Sequence, residues 1–136
     1  MIFYPRTKID LKTDSFSSHI DFAPTIIDFC KLPKEEKFKG TSILSKDYNQ
    51  DFVLSENTGS GLCDIYNKDI FICIRTKNLK ITYKVTGKRI QERDVFDLKN
   101  DPNEFNNIVN EKTFDEDRKK LFIHCEKRIK EIYDYV

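Results

Sequence analysis

The sequence predicts an α+β fold: an initial strand and helix, then a small antiparallel sheet packed against a C-terminal helix. Three observations carry this. Ile70-Phe71-Ile72-Cys73-Ile74 is an unbroken apolar run of strand length, bounded by polar residues, and reads as buried on both faces or nearly so. Ile81, Tyr83 and Val85 then alternate with polar residues between the turn-like segments Lys77-Asn78 and Thr86-Gly87-Lys88. From Phe114 to Val136 the apolar residues fall at helical spacing, with Lys and Glu opposite.

Taken in order, Ile2-Phe3-Tyr4-Pro5 is a short β-rich run halted by proline, and a lone strand there needs a pairing partner. Arg6 to Ser18 is polar and aperiodic, a loop. From Asp21 the pattern turns helical: Asp21 is placed to accept from a first-turn amide, and Pro24 is tolerated where amides lack intrahelical partners. Phe22, Ile26, Phe29 and Cys30, widened by Ala23 and Ile27, form the expected buried stripe. Pro33 ends this helix, and a charged loop leads to Thr41-Ser42-Ile43-Leu44. Phe52 to Glu56 reads as a strand running into Asn57-Thr58-Gly59-Ser60-Gly61, a flexible loop on composition. The sheet continues as a meander through Leu79–Val85 and a third short strand over Arg93–Leu98. In the last helix Leu121, Phe122, Cys125, Ile129, Ile132, Tyr133 and Val136 trace the buried stripe, with Thr113 or Asp115 as its cap.

Composition narrows the function. The chain of 136 residues, 38% hydrophobic with eleven Phe and six Tyr, has material for one modest core. Its 24 basic and 23 acidic residues leave a net charge of +1, which supplies no field for nucleic acid or an anionic membrane. No apolar run approaches the roughly 20 residues of a membrane helix, and the interrupted start, with Pro5, Arg6 and Lys8, is unlike a signal peptide. Cys30, Cys63, Cys73 and Cys125 are scattered without C-x-x-C spacing, so no zinc site is indicated. Three lie in apolar surroundings, where a buried free thiol is the commoner state, although an even count also permits two disulfides. This usage leans towards a reducing, cytoplasmic setting rather than a periplasmic or secreted one.

The most informative segment is Val95-Phe96-Asp97-Leu98-Lys99-Asn100-Asp101-Pro102-Asn103-Glu104-Phe105-Asn106-Asn107-Ile108. It reads as a strand end entering a turn fixed by Pro102, with Asp101 and Asn103 bonding local amides and Phe105 and Ile108 anchoring the turn to a core. A calcium loop of the EF-hand type needs glycine at its sixth position and an acid at its twelfth; Pro102 and Ile108 stand there instead.

This segment resembles the tail motif of the sulfatases, of the alkaline phosphatase superfamily, where an L-Y-D-L strand precedes a D-P-x-E-x-x-N-L turn. Ile74-Arg75-Thr76-Lys77-Asn78-Leu79-Lys80 is similar to the family's I-R-T-x-x-x-K strand pair, and Phe52-Val53-Leu54-Ser55-Glu56-Asn57 to its V-x-S-E strand. Ser18 to Asp28 resembles its S-x-x-D-x-x-P-T-x-L-D helix start, Gly40-Thr41-Ser42-Ile43 its G-x-S-L, and Ile2 to Pro5 its last sheet strand. One departure is Lys31, where the family ends the helix with glycine; a different helix end is expected.

The resemblance implies that residues 1–45 form the C-terminal edge of a catalytic α/β domain, and residues 46–136 a C-terminal subdomain of antiparallel sheet and helix. It also implies what the chain lacks. The C/S-x-P-x-R motif that yields the formylglycine nucleophile is absent. So are the ligand motifs for a divalent cation, usually calcium, which the resemblance assigns to the full-length parent. The chain is therefore expected to be the C-terminal portion of a sulfuric ester hydrolase, inactive alone. Its implied partners are an N-terminal catalytic domain and, for the parent, a sulfated small molecule or glycan. The alternatives are the same region of a phosphonate or phosphate ester hydrolase, or a non-catalytic binding module. Self-association through exposed Phe3, Phe22 and Ile26 is expected of the isolated chain.

Within the chain no catalytic residue and no metal ligand is assigned. Glu56, Asn57 and Thr58, at a strand end entering a glycine-containing loop, are the substrate-contact candidates. His19 with Asp21 reads as a local cap, His124 as a helix residue without further ligands, and Arg75 as a salt-bridge former.

Overall fold

In the computed structural model the structure describes residues 14–33, 37–57 and 69–134. The expected strand Ile2–Pro5, Thr58, Cys63 and Val136 lie outside them. The chain divides into two compact units, Met1–Asp51 and Phe52–Val136.

The first unit is built on α1, Phe22–Phe29, entered through a 3-10 turn at His19–Asp21. Its interior is rich in hydrogen-bonding side chains: Asp21, Thr25 and Ser42 are buried, together with Pro24 and Tyr48. The expected stripe faces the other way: Phe22 is 57% exposed, Ile26 42% and Phe29 37%, and Cys30 is exposed as well. Hydrogen-bonding side chains on the opposite face dock α1 onto residues 40–50, and this decides which face is covered.

The helix end also departs from expectation. Lys31 adopts the left-handed conformation, φ 54°, that glycine usually supplies. Its amide bonds the Asp28 carbonyl at 3.1 Å and the Leu32 amide bonds Ile27 at 3.0 Å, the paired bonds of a Schellman end. The geometry survives the loss of glycine, and the lysine side chain bears the steric cost of the left-handed region.

The second unit is a four-stranded antiparallel meander, β1 Phe52–Asn57, β2 Ile70–Thr76, β3 Leu79–Thr86 and β4 Arg89–Asp97, followed by α2, Asp115–Asp134. The β2–β3 turn is closed by Thr76, whose hydroxyl oxygen accepts from the Leu79 amide at 2.9 Å. The β3–β4 turn uses Gly87 at φ 58°. Side chains alternate across the sheet: Ile70, Ile72, Ile74, Leu79, Ile81, Tyr83, Val85 and Val95 form the core with Leu121, Cys125 and Ile129 of α2. Phe71 and Cys73 are only half-buried, so β2 is not covered equally on both faces. Instead the Arg93 guanidinium lies 5.2 Å from the Phe71 ring centre.

β4 begins at Arg89, earlier than its sequence suggests, and carries an irregularity: pairing steps from Thr82↔Asp94 to Tyr83↔Glu92, leaving Arg93 as an extra residue. Helix α2 starts after Phe114, whose carbonyl accepts the first helical bond from Arg118. Phe114 stands at the expected cap with φ 60°, where Thr113 or Asp115 was expected. Asp115, Glu116 and Asp117 in the first turn place negative charge at the positive end of the helix.

Candidate functional site

Two clusters hold the motif residues. In the first unit Asp21 is the centre. Its carboxylate accepts from the amides of Ser18 and Thr41, both at 2.9 Å, and from the Gln50 side chain at 3.4 Å. The Tyr48 hydroxyl lies 3.1 Å from the same carboxylate and 2.6 Å from the Phe16 carbonyl. Burial first, and then the Asp21 carboxylate beside it, pushes the Tyr48 hydroxyl up to about 12. Asp21 thus does not cap the first turn of α1; its backbone is already helical, and the carboxylate turns back to the loops. One turn on, the Thr25 hydroxyl donates to the Asp21 carbonyl at 2.5 Å and accepts from the Ile43 amide at 3.1 Å. Ser42 donates to Asp28 at 2.7 Å. Gly40 passes so close that a Cβ there would fall 2.0 Å from the Ile20 carbonyl oxygen.

The second cluster is the corner after β4. The Asp97 carboxylate accepts from the Lys99 amide at 3.0 Å and the Asn100 side chain at 2.6 Å. The Asn100 side chain, with the amides of Lys99 and Asn100, holds this carboxyl below the usual range. Asp101 accepts from the Asn106 amide at 2.8 Å. Glu104, left-handed at φ 60°, receives Arg75 at 3.3 Å and Lys80 at 2.5 Å, tying the corner to β2 and β3. Asn107 accepts from the amides of Val95 at 3.0 Å and Val109 at 3.1 Å, and the Ile108 amide bonds the Val95 carbonyl at 2.9 Å. Each carboxylate is occupied by the protein's own donors. The corner is structural, and Arg75 forms the expected salt bridge. Phe105, expected as an anchor, is 81% exposed; Ile108 alone packs against the core.

The substrate-contact candidates are spread differently. Both Glu56 carboxylate oxygens are taken by Arg128 of α2, at 2.6 and 2.9 Å, which fastens the end of β1 to the helix. Asn57 is exposed at the end of the strand. His124 packs its ring on Phe52, centres 4.4 Å apart, and His19 is exposed in the 3-10 turn. Cys125 is buried and pushed up to about 12, chiefly by that burial, which leaves an inert thiol. Of the other described cysteines, Cys30 is exposed and Cys73 half-buried, so the expectation of buried thiols holds for Cys125 alone among them. Among the described residues no group of three His, Cys, Asp or Glu converges as a metal site.

Nothing in the residue pattern marks the Arg118 clamp. Only 11% exposed at its side chain, it donates to Glu92, to the Val109 carbonyl at 2.8 Å and to the Glu111 carbonyl at 2.5 Å. A charged helix residue reads as solvated surface; here β4 brings Glu92 opposite it. Beside this clamp an open groove of about 900 Å³ runs between β4 and α2.

Comparison with known proteins agrees with these motifs. The family model for the C-terminal region of N-sulphoglucosamine sulphohydrolase matches residues 1–132. Among solved structures, a Bacteroides thetaiotaomicron VPI-5482 protein assigned to the sulfatases superposes with a TM-score of 0.65 at 18% identity, over 84% of this chain and 25% of that one. BT1596, a 2-O GAG sulfatase, gives the same values. BT4656, solved with its substrate D-glucosamine-2-N,6-O-disulfate, gives 0.60 at 22% identity, over 84% of this chain and 24% of that one. The chain thus spans about a quarter of the length of these proteins, and at such identities the likeness speaks for the fold. No curated protein matches the sequence.

Proposed function

Since the chain belongs to the family of the N-sulphoglucosamine sulphohydrolase C-terminal region, we propose that it serves as the C-terminal portion of a sulfuric ester hydrolase. In this reading it supplies the structural close of the enzyme. The nucleophile and the divalent cation belong to a catalytic part outside the sequence, and the chain alone is inactive. The parent's substrate class is a sulfated sugar, as the named substrate of BT4656 suggests.

The observation that carries the reading is the placement of the motif residues. Asp21, Thr25, Asp28, Ser42, Asp97, Asp101, Glu104 and Asn107 are all engaged in holding backbone or neighbouring side chains. None is left to act on a substrate ester. The exposed Phe22 and Ile26 of α1 support it further, since apolar side chains sharing a helix face are normally covered by another element. Asn57 and Thr58 remain the candidates for substrate contact in the assembled enzyme, whereas the Arg128 pair gives Glu56 a structural role.

The test has two arms. The coding sequence immediately upstream is expected to hold an in-frame C/S-x-P-x-R motif. The purified chain, supplied with calcium and D-glucosamine-2-N,6-O-disulfate, is expected to release no sulfate, and the chain joined to that upstream region to release it. Sulfate release by the chain alone, or an upstream region without the motif, contradicts the proposal.

A further inference from the structure

Helix α2 holds β1 at both ends of the strand. At its start the His124 ring packs on Phe52, centres 4.4 Å apart. At its far end Arg128 takes both carboxylate oxygens of Glu56, Nη2 at 2.6 Å and Nε at 2.9 Å. Arg128 is itself braced from the next turn of α2 by Glu131 at 3.0 Å. A forked pair braced by a third charge keeps its geometry where a lone surface pair does not. The hydrogen bonds to Glu56 hold the Arg128 guanidinium above its usual range, so the pair stays charged. The strand end has need of such a hold. Among the described residues β1 pairs with β2 alone, and its last pair is Asn57↔Phe71. Ends of edge strands are among the first parts of a sheet to open.

Glu56 stands across from Ile72, on the face that α2 covers. Alternation therefore turns Asn57 to the opposite face, in one row with Phe71, Lys84 and Gln91. What fixes Glu56 from behind also fixes the direction in which Asn57 is presented in front. We propose that Arg128 is a positioning residue of the assembled hydrolase: through Glu56 it sets Asn57 towards the sulfated sugar, and so governs how tightly substrate is held without touching it. The assignment rests on Asn57 being a substrate contact, as read above. A binding group that swings with a loose strand end loses its place against the substrate, whereas the groups of the catalytic part keep theirs. The loss on breaking the pair therefore falls on KM rather than on kcat.

Two measurements separate the hold from the contact. In the purified chain, Arg128→Gln should speed amide exchange about tenfold over Ser55–Asn57 and leave β3 unchanged. In the chain joined to its upstream catalytic region and supplied with D-glucosamine-2-N,6-O-disulfate, Arg128→Gln should raise KM about tenfold, with kcat within about twofold. Arg128→Lys, which keeps the charge and loses the fork, should fall between. Asn57→Ala should raise KM alike, and the double variant should do no worse than Asn57→Ala alone, because one residue acts through the other. Unchanged exchange at the strand end, or lost protection across the whole sheet, overturns the hold. Faster exchange with KM unmoved by Arg128→Gln overturns the positioning role. If Asn57→Ala is silent as well, the substrate-contact reading is what has failed. Effects of the two substitutions that multiply independently break the link between them. A joined enzyme that releases no sulfate overturns the sulfatase reading and this assignment with it.

Discussion

The two units of this chain bury opposite kinds of residue. In the second, Ile72, Ile74, Ile81, Val85 and Val95 are fully enclosed and the charged side chains, Arg118 apart, lie towards the outside. In the first, a carboxylate, a threonine, a serine and the hydrogen-bonded Tyr48 are inside, while Phe22 and Ile26 face out. An α-helix leaves few alternatives to covering its apolar stripe, so a unit that covers the polar stripe instead must draw its stability from directional bonds. Asp21 supplies them by gathering donors from four places in the sequence, Ser18, Thr41, Tyr48 and Gln50. The contrast separates a region whose apolar side chains are enclosed from one whose apolar stripe lies outward.

The largest test of this contrast falls on the second unit. Ile81→Ala removes a wholly buried side chain from the centre of the sheet, and should cost about 3 kcal/mol, read as a lowered denaturant midpoint for Phe52–Val136. In the first unit the comparable change is polar. Asp21→Asn keeps the shape but sets an amide group against the amides of Ser18 and Thr41, with an expected cost of about 2 kcal/mol. Hydrogen exchange should show faster exchange at those two amides and unchanged protection in β2 and β3. Equal loss of protection in both units would mean that they unfold as one, and the contrast would lose its energetic meaning. A smaller effect of opposite sign is expected at Lys31. Lys31→Gly relieves a left-handed side chain and should stabilise the first unit by about 0.5–1 kcal/mol, the steric gain less the greater freedom of glycine in the unfolded chain. Thermal melts of the two proteins measure it.

The same contrast explains how much was legible in advance. β2, β3 and α2 were readable because the hydrophobic effect alone decides them, and Ile72, Tyr83 and Leu121 lie where alternation and helical spacing put them. β4 was half-read. Its first residues, Arg89 to Arg93, are polar as befits an exposed sheet edge, so the apolar signal begins only at Val95. The exposed stripe of α1 was legible as a stripe but not as exposed, because periodicity says which residues share a face and not what lies against it. The corner at Asp97 was recognisable as a turn from Pro102, and its carboxylates serve that turn. Phe105 was misplaced because the left-handed backbone at Glu104, which swings the next side chain outward, has no marker in the sequence. The Arg118 clamp was not legible at all, since Glu92 reaches it only through the fold of the sheet.

The account rests on the claim that the outward face of α1 is built for a covering partner. Dye binding and sedimentation of the purified chain, compared with a Phe22→Ser, Ile26→Ser variant, test it directly. The account predicts that the parent chain binds an apolar dye and self-associates with rising concentration, and that the variant, equally stable, does neither. A parent chain that stays monomeric, binds no dye and unfolds in a single cooperative step would contradict it.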